Sequence, residues 1–248
     1  MQLQHFFQLN PRIAVAFSGG VDSSYLLYAA KTAGCDVRAY FLKSQFQPRF
    51  ELDDAESITN SLGVTLFVDD FDILSEPEVI SNPPDRCYYC KVKIFSRLWE
   101  LARKDDYTVL CDGTNADDDE SDRPGMRALR ELGVLSPLRD CGLAKSDIRH
   151  LSKQAGLKTF DKPSYACLAT RIPTGTLITA QQLVMIEEAE QALSDMGFSD
   201  FRVRLLPPNG AKIQMPQDQW EQATARRAEI LAALQPVFKS VVLDLAYR

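Results

Sequence analysis

Two groups of residues in this 248-residue chain could do chemistry. The first is Val-Ala-Phe-Ser-Gly-Gly-Val-Asp-Ser-Ser, residues 15–24. Glycines let a backbone approach a phosphate closely, and the amides and dipole of a following helix complete an anion site. It is not a Walker loop, because G-x-x-x-x-G-K-[ST] does not occur here. A glycine turn serving only the fold is the alternative, and the position between a buried strand and a helix argues against it. The second group is cysteine. Cys87-Tyr-Tyr-Cys90 follows a proline pair and opens a helix, and Cys167 stands far downstream in Pro-Ser-Tyr-Ala-Cys-Leu-Ala-Thr-Arg. C-x-x-C spacing can place two thiolates on one zinc ion or iron–sulfur cluster. Three cysteines would leave one corner of a [4Fe–4S] cube open to an exogenous ligand. Spacing alone keeps other readings open. Cys87 and Cys90 could be buried thiols or a redox pair with Cys167 separate. Zinc would need a fourth ligand, and neither His5 nor His150 sits in a ligand motif. Cys111, inside the apolar run Thr-Val-Leu-Cys-Asp, reads as a small hydrophobe. Cys35 and Cys141 have no partner spacing.

The elements that must position these groups follow from hydrophobic patterning. Residues 13–17 form a continuous apolar run, as a strand buried on both faces requires. A helix is predicted over 23–33, a strand over 37–42, a helix over 53–62 and a strand over 65–69. A helix over 91–104 and a strand over 108–112 complete the series. Strands alternating with helices predict an α/β fold with a mainly parallel sheet covered on both faces. Ligands in such sheets sit beyond the carboxyl ends of the strands, where residues 18–22 and 112–115 both fall. After Pro163 the pattern changes. A helix over 180–196, strands over 201–206 and 211–215, a helix to about 234 and a last strand over 237–246 predict a smaller α+β domain. The expected division is 1–163 and 164–248.

The composition, 45% hydrophobic and 25% charged, is that of an ordinary globular protein. A net charge of −6 argues against a nucleic-acid partner, since such binders carry a basic face. The first ten residues lack a cationic segment and a long apolar stretch, which predicts no secretion signal. No apolar run is long enough to span a bilayer, so no membrane partner is expected. A cytoplasmic location follows as the expectation, with the cysteines kept as thiols.

Ser-Gly-Gly-Val-Asp-Ser, residues 18–23, resembles the SGGxDS signature of the ATP pyrophosphatase, or PP-loop, superfamily, whose members split ATP between the α and β phosphates. That resemblance implies that Asp22 helps hold Mg²⁺ while Ser18, Gly19, Gly20 and Ser23 hold pyrophosphate. A longer set of segments is more specific. Residues 85–91, 112–118, 121–138, 144–149, 162–175 and 201–206 together resemble the LarE family of ATP-dependent sulfur transferases, and the likeness runs from about Ile13 to the C-terminus. Family membership implies a substrate, pyridinium-3,5-biscarboxylic acid mononucleotide, whose carboxylates are adenylated and converted to thiocarboxylates for the nickel-pincer cofactor of lactate racemase. It also implies a homo-oligomer and a sulfide or other sulfur donor. Cys167 matches the family's sulfur-handling cysteine. In members with this cysteine alone, it attacks the adenylate and surrenders its sulfur, ending as dehydroalanine. Members with a nearby C-x-x-C resemble this chain more closely, and there Cys87, Cys90 and Cys167 would hold a [4Fe–4S] cluster whose open iron carries sulfide.

Other positions take roles by placement. Asp112, Gly113, Thr114, Asn115 and Asp117 lie past a strand end, where nucleotide and metal contacts are expected, whereas 118–120 read as a solvated acidic loop. Asp122, Arg123 and Arg127 resemble the family's DxRPGxR segment, and the arginines read equally as phosphate forks or structural ion pairs. Lys145 begins a helix and reads equally as a phosphate contact or a solvated lysine. Strand alternation puts Phe201, Val203 and Leu205 on one face and Arg202 with Arg204 on the other. Paired guanidiniums there suit a mononucleotide phosphate, and two arginines on an exposed strand face are the alternative. Arg171, four residues past Cys167, is expected to hold AMP or substrate. Two departures stand out: Ala211-Lys212-Ile213-Gln214 replaces an expected Ala-Arg-Ile-Glu, and Leu245–Arg248 lacks the short Gly/Ser extension of related tails. The competing functions are a transfer-RNA thiolation enzyme, a PP-loop amidotransferase or NAD-synthetase-like enzyme, and a non-enzymatic nucleotide-binding module. The amidotransferase reading gives no work to the three cysteines.

Overall fold

A computed structural model describes residues 2–118 and 124–246, which form two compact units. The first comprises residues up to 44 together with 49–72 and 85–162. The second comprises 45–48, 73–84 and everything from 163 onward. Two early segments therefore group with the C-terminal part rather than with the strands that flank them in sequence.

The first unit is built on a parallel four-stranded sheet of β1 (Arg12–Ala16), β2 (Asp36–Lys43), β3 (Leu66–Asp70) and β4 (Leu110–Cys111), in the order β3-β2-β1-β4. The side-chain period of two explains why β1 is apolar from Ile13 onward. Ile13 and Val15 enter one core with Leu26, Leu27, Ala39 and Phe41, while Ala14 enters another with Tyr40, Leu42, Leu98 and Trp99. Helix Val21–Thr32 covers the first face and helix Arg86–Lys104 the second. The latter starts five residues earlier than the predicted 91, with Asp85 as N-cap after Pro83 and Pro84, so its first two turns carry both cysteines of the C-x-x-C pair. Strand β4 is shorter than the predicted 108–112, and beyond it the Asp112 amide donates to the Leu135 carbonyl while its carboxylate accepts from Ser136. The chain runs outward from β1 through β2 to β3 and then crosses to β4 on the other side, so the switch point lies between β1 and β4. The loops leaving those two strands sit side by side at the carboxyl edge, where such sheets take their ligands.

The second unit has a three-stranded mixed sheet, with β5 (Arg202–Leu206) antiparallel to β6 (Gly210–Gln214) and β7 (Ser240–Leu243) parallel to β6. Helix Ala180–Asp195 opens with a reciprocal capping box between Thr179 and Gln182. It buries Leu183, Ile186, Ala189, Glu190 and Leu193. The single predicted helix before β7 is two, Trp220–Ala225 and Arg227–Leu234. Arg226 between them donates to the Met196 carbonyl and to Glu229, which fixes the break. No helix among the described residues is long and apolar enough to cross a membrane.

Candidate active site

Helix Val21–Thr32 begins where β1 ends, and its N-cap, Gly20, supplies no side-chain cap. The amides of its first turn are therefore left to a ligand. Gly19 stands at φ +68, a left-handed conformation that glycine adopts without steric cost. The loop is held in shape by its own hydroxyls. Ser18 Oγ and Ser23 Oγ lie 3.1 Å apart, Ser23 Oγ donates to the Gly20 carbonyl at 3.3 Å, and the Gly20 amide donates to Ser18 Oγ at 3.4 Å.

Residues 112–117 are laid against that turn. A Cβ on Gly113 would stand 2.8 Å from the Ser23 amide nitrogen and 3.1 Å from its Cα, so only glycine permits this backbone-to-backbone approach. Asp112 spends both oxygens locally, accepting from Thr114 Oγ1 at 2.5 Å and Ser136 Oγ at 2.7 Å, and thereby shapes the turn. Thr114 and Asn115 are buried, and the Asn115 side-chain oxygen accepts from the Asp117 amide at 2.9 Å. Asp117 accepts the Lys145 amide at 2.7 Å, serving the start of helix Lys145–Gln154. The Lys145 ammonium pairs with Asp22 Oδ2 at 2.5 Å, within the phosphate loop. Asp22 Oδ1 is buried with no hydrogen-bond partner. An orphaned carboxylate oxygen beside an uncapped helix is the donor that a hard cation such as Mg²⁺ takes, so this chain fits the ion at Asp22. Asp122 and Arg123, with Asp119 and Glu120, lie outside the described residues.

All six cysteines are thiols rather than disulfides. Cys87 is exposed and Cys90 half-buried, on one face of the first turns of helix Arg86–Lys104. An Arg86 guanidinium nitrogen lies 3.9 Å from Cys87 Sγ. Tyr88 between them donates to Glu131 at 2.6 Å, and Arg127 stacks 3.7 Å over the Tyr88 ring. Arg127 thus braces the cysteine-bearing turn and also pairs with Glu131. Cys35 and Cys111 are buried, and burial pushes both thiols up. Among the described residues, no group of three or more His, Cys, Asp or Glu side chains is placed to hold a metal ion.

Cys167 belongs to the second unit, in an irregular segment that enters a short 3₁₀ turn, Leu168–Arg171. Three arginines hold that segment by its carbonyls. Arg202 donates to Ser164 O at 2.6 Å, Arg171 to Ala166 O at 2.6 Å and Cys167 O at 3.3 Å, and Arg204 to Thr170 O at 2.7 Å. Arg171, expected to reach AMP or substrate, is instead wholly enclosed. Its guanidinium forks onto Glu190 at 2.9 and 3.1 Å. Arg202 and Arg204 do project from the same face of β5, as alternation requires. Arg202 is nevertheless buried and also donates to Phe201 O, while Arg204 Nε donates to Gln214. Burial and the neighbouring Arg171 pull the Arg202 pKa down. Gln214, which stands where a glutamate was expected, accepts from Arg204 and donates to Asp244, and Asp244 also pairs with Lys212.

Glu190 is the hub of this cluster, with Tyr165 Oη donating to it at 2.5 Å and the Val203 amide at 2.9 Å. Burial first, and then the Glu190 charge, raise the Tyr165 pKa. Glu190→Ala leaves Arg171 buried without its counter-charge, so unfolding in urea should show a loss of about 3–5 kcal/mol. An unchanged midpoint would show that the pair does not hold the segment. Sequence reasoning missed Glu190, Tyr165 and Lys162. The latter two fall inside the 162–175 segment and were within reach of a motif reading. Glu190 sits in an amphipathic helix with no local signal. Lys162 belongs to the first unit, where its ammonium lies 3.0 Å from Gly19 O and 2.6 Å from Asp54.

Comparison with known proteins extends this picture. Residues 11–113 match the family described as the tRNA methyl transferase HUP domain. A pyridinium-3,5-bisthiocarboxylic acid mononucleotide synthase of Lactiplantibacillus plantarum is 32% identical over 237 residues, covering 94% of this chain and 86% of that protein. An uncharacterized protein of Synechocystis sp. is 34% identical over 221 residues, covering 89% and 82%. A tRNA-specific 2-thiouridylase of Fusobacterium nucleatum is 26% identical over 177 residues, covering 62% of this chain and 48% of that protein.

Proposed function

Because this chain belongs to the LarE family of PP-loop proteins, we propose that it is an ATP-dependent sulfur transferase acting on the carboxylates of pyridinium-3,5-biscarboxylic acid mononucleotide. Such a reaction would place it in the synthesis of the nickel-pincer cofactor of lactate racemase. The observation that carries the reading is the uncapped phosphate-loop helix with the unpaired Asp22 oxygen beside it. The similarity to the synthase runs through the Cys167 segment at 32% identity, against 26% for the thiouridylase.

The chemistry follows from what a carboxylate lacks. Its charge repels nucleophiles and its oxygen is a poor leaving group. The helix amides and loop glycines hold the ATP polyphosphate, and Asp22 would hold Mg²⁺, whose charge offsets that of the phosphates. A carboxylate oxygen attacks the α-phosphorus, the bond to the β-phosphate oxygen breaks, and pyrophosphate leaves. The acyl-adenylate is neutral at the carbonyl and carries AMP as leaving group. A sulfur nucleophile then displaces AMP. Cys167 can supply that sulfur directly. Its thiolate forms a thioester, and loss of the Cα proton with cleavage of the Cβ–S bond releases thiocarboxylate and leaves dehydroalanine.

Cys87, Cys90 and Cys167 have the number and type of donors for a [4Fe–4S] cluster with one open iron, which when bound would offer a site for sulfide. The described residues present no assembled metal group. Iron and sulfide analysis of anaerobically purified protein distinguishes the two sources. About four of each per chain supports the cluster, whereas an iron-free chain that loses H₂S during turnover supports direct donation.

Exchange of labelled pyrophosphate into ATP, dependent on the mononucleotide, tests the adenylation step. Exchange driven by transfer RNA and not by the mononucleotide would transfer the reading to transfer-RNA thiolation.

A further inference from the structure

We propose that Lys162 is a further phosphate-binding residue of the ATP site, contacting the β- and γ-phosphates of ATP and the pyrophosphate that leaves. This rests on the reading of residues 18–23 as the ATP loop. Lys162 is fixed at both ends. Its backbone carbonyl accepts from Arg149 at 2.8 Å, and the Phe160 carbonyl accepts from the same guanidinium at 2.6 Å, so the end of the 3₁₀ turn Lys158–Asp161 is tied to helix Lys145–Gln154. Its ammonium reaches the Gly19 carbonyl at 3.0 Å, one residue before the N-cap of the phosphate-loop helix. Asp54, from helix Arg49–Leu62, takes a second proton of the ammonium at 2.6 Å. An ammonium has three donors, and these two contacts leave one for a ligand.

The partners indicate which ion Lys162 serves. Asp54 is 45% exposed and Lys162 23%, so their pair is screened by solvent and adds little to stability. Phe50 flanks the ammonium with its ring centroid 5.8 Å away, which limits its wandering without satisfying it. The loop therefore has two lysine–aspartate pairs against it, Lys145 with Asp22 and Lys162 with Asp54. Asp22 keeps an unpaired oxygen for a cation, and Lys145 stays beside it as counter-charge. Lys162 can exchange the Asp54 oxygen for a phosphate oxygen of higher charge while keeping its hold on Gly19. Lysine suits this because it binds phosphate as a point charge and needs no fixed fork. A lysine that served only to tie helix Arg49–Leu62 to the loop would leave nucleotide discrimination unchanged.

The test is calorimetric titration of wild type, Lys162→Met and Lys162→Arg with Mg·ATP, inorganic pyrophosphate and AMP. Methionine keeps the length and apolar stem. Loss of one hydrogen bond to a charged group should weaken ATP and pyrophosphate by about ten- to a hundredfold, leave AMP unchanged, and be largely rescued in Lys162→Arg. Equal weakening of all three ligands, or wild-type affinity for pyrophosphate in Lys162→Met, would overturn the assignment and leave the ATP reading intact. Wild type that binds no ATP would overturn both.

Discussion

Cys167→Ala is expected to stop thiocarboxylate formation, by about a thousandfold or more, while mononucleotide-dependent exchange of pyrophosphate into ATP continues near the parent rate. In the proposed reaction the two half-reactions use residues of different units: residues 18–23 and 112–117 belong to the first and Cys167 to the second. In the proposed reaction, sulfur transfer needs the Cys167 thiol whether it donates its own sulfur or helps hold a cluster. The Cys167 backbone keeps its place in the variant, because Arg171 and Thr170 bond to its carbonyl oxygen rather than to its sulfur. A parallel Cys87→Ala variant separates the two sulfur sources. It stays active if Cys167 donates directly and becomes inactive if a cluster is required. Product formation by Cys167→Ala at the parent rate would remove Cys167 from the mechanism.

Gly113→Ala should lower ATP/pyrophosphate exchange by about a hundredfold, the scale on which a misplacement of about 1 Å acts at a reacting centre. The added Cβ would meet the Ser23 amide nitrogen at 2.8 Å and the Asp22 carbonyl carbon at 3.3 Å. Both are backbone atoms at the start of the helix, so no flexible side chain can swing aside. The first turn must move, and its amides and the Asp22 carboxylate move with it. Overpacking of this kind also costs about 1–3 kcal/mol, so a lowered midpoint in urea should accompany the loss. Gly34, with open space at its Cβ position but φ +82, is a useful contrast. Gly34→Ala should cost stability through backbone strain and leave exchange unaffected in the folded fraction. Full exchange activity in Gly113→Ala would contradict the close contact between residues 112–117 and the phosphate loop.

What could be read from the sequence was what is local in it. Strand β1 is a run of apolar residues because both its faces are covered, and the loop after it carries glycine and hydroxyl groups that only a close approach explains. Those features identified the parallel sheet and the edge at which it works. The period of two also placed Arg202 and Arg204 on one face of β5. It could not say what they touch, because their acceptors at Ser164 and Thr170 lie 38 and 34 residues away. The same limit hid the Arg171–Glu190 pair, where an isolated arginine near a reactive cysteine suggested a ligand contact. An enclosed guanidinium needs a carboxylate, and the helix that supplies it shows only amphipathic spacing. Lys162 and Gly19 are 143 residues apart, so their contact is a property of the fold alone.

In the proposed reaction, cleavage of ATP to AMP and pyrophosphate drives the exchange of a carboxylate oxygen for sulfur on the mononucleotide. The most direct measurement incubates the protein with Mg·ATP and pyridinium-3,5-biscarboxylic acid mononucleotide, adding sulfide if the protein carries a cluster, and follows substrate mass and nucleotide products together. The expected result is the mass increase of one oxygen replaced by sulfur for each carboxylate converted, with AMP and pyrophosphate formed in step. ATP consumed to ADP, or AMP and pyrophosphate formed with the mononucleotide unchanged in mass, would contradict it.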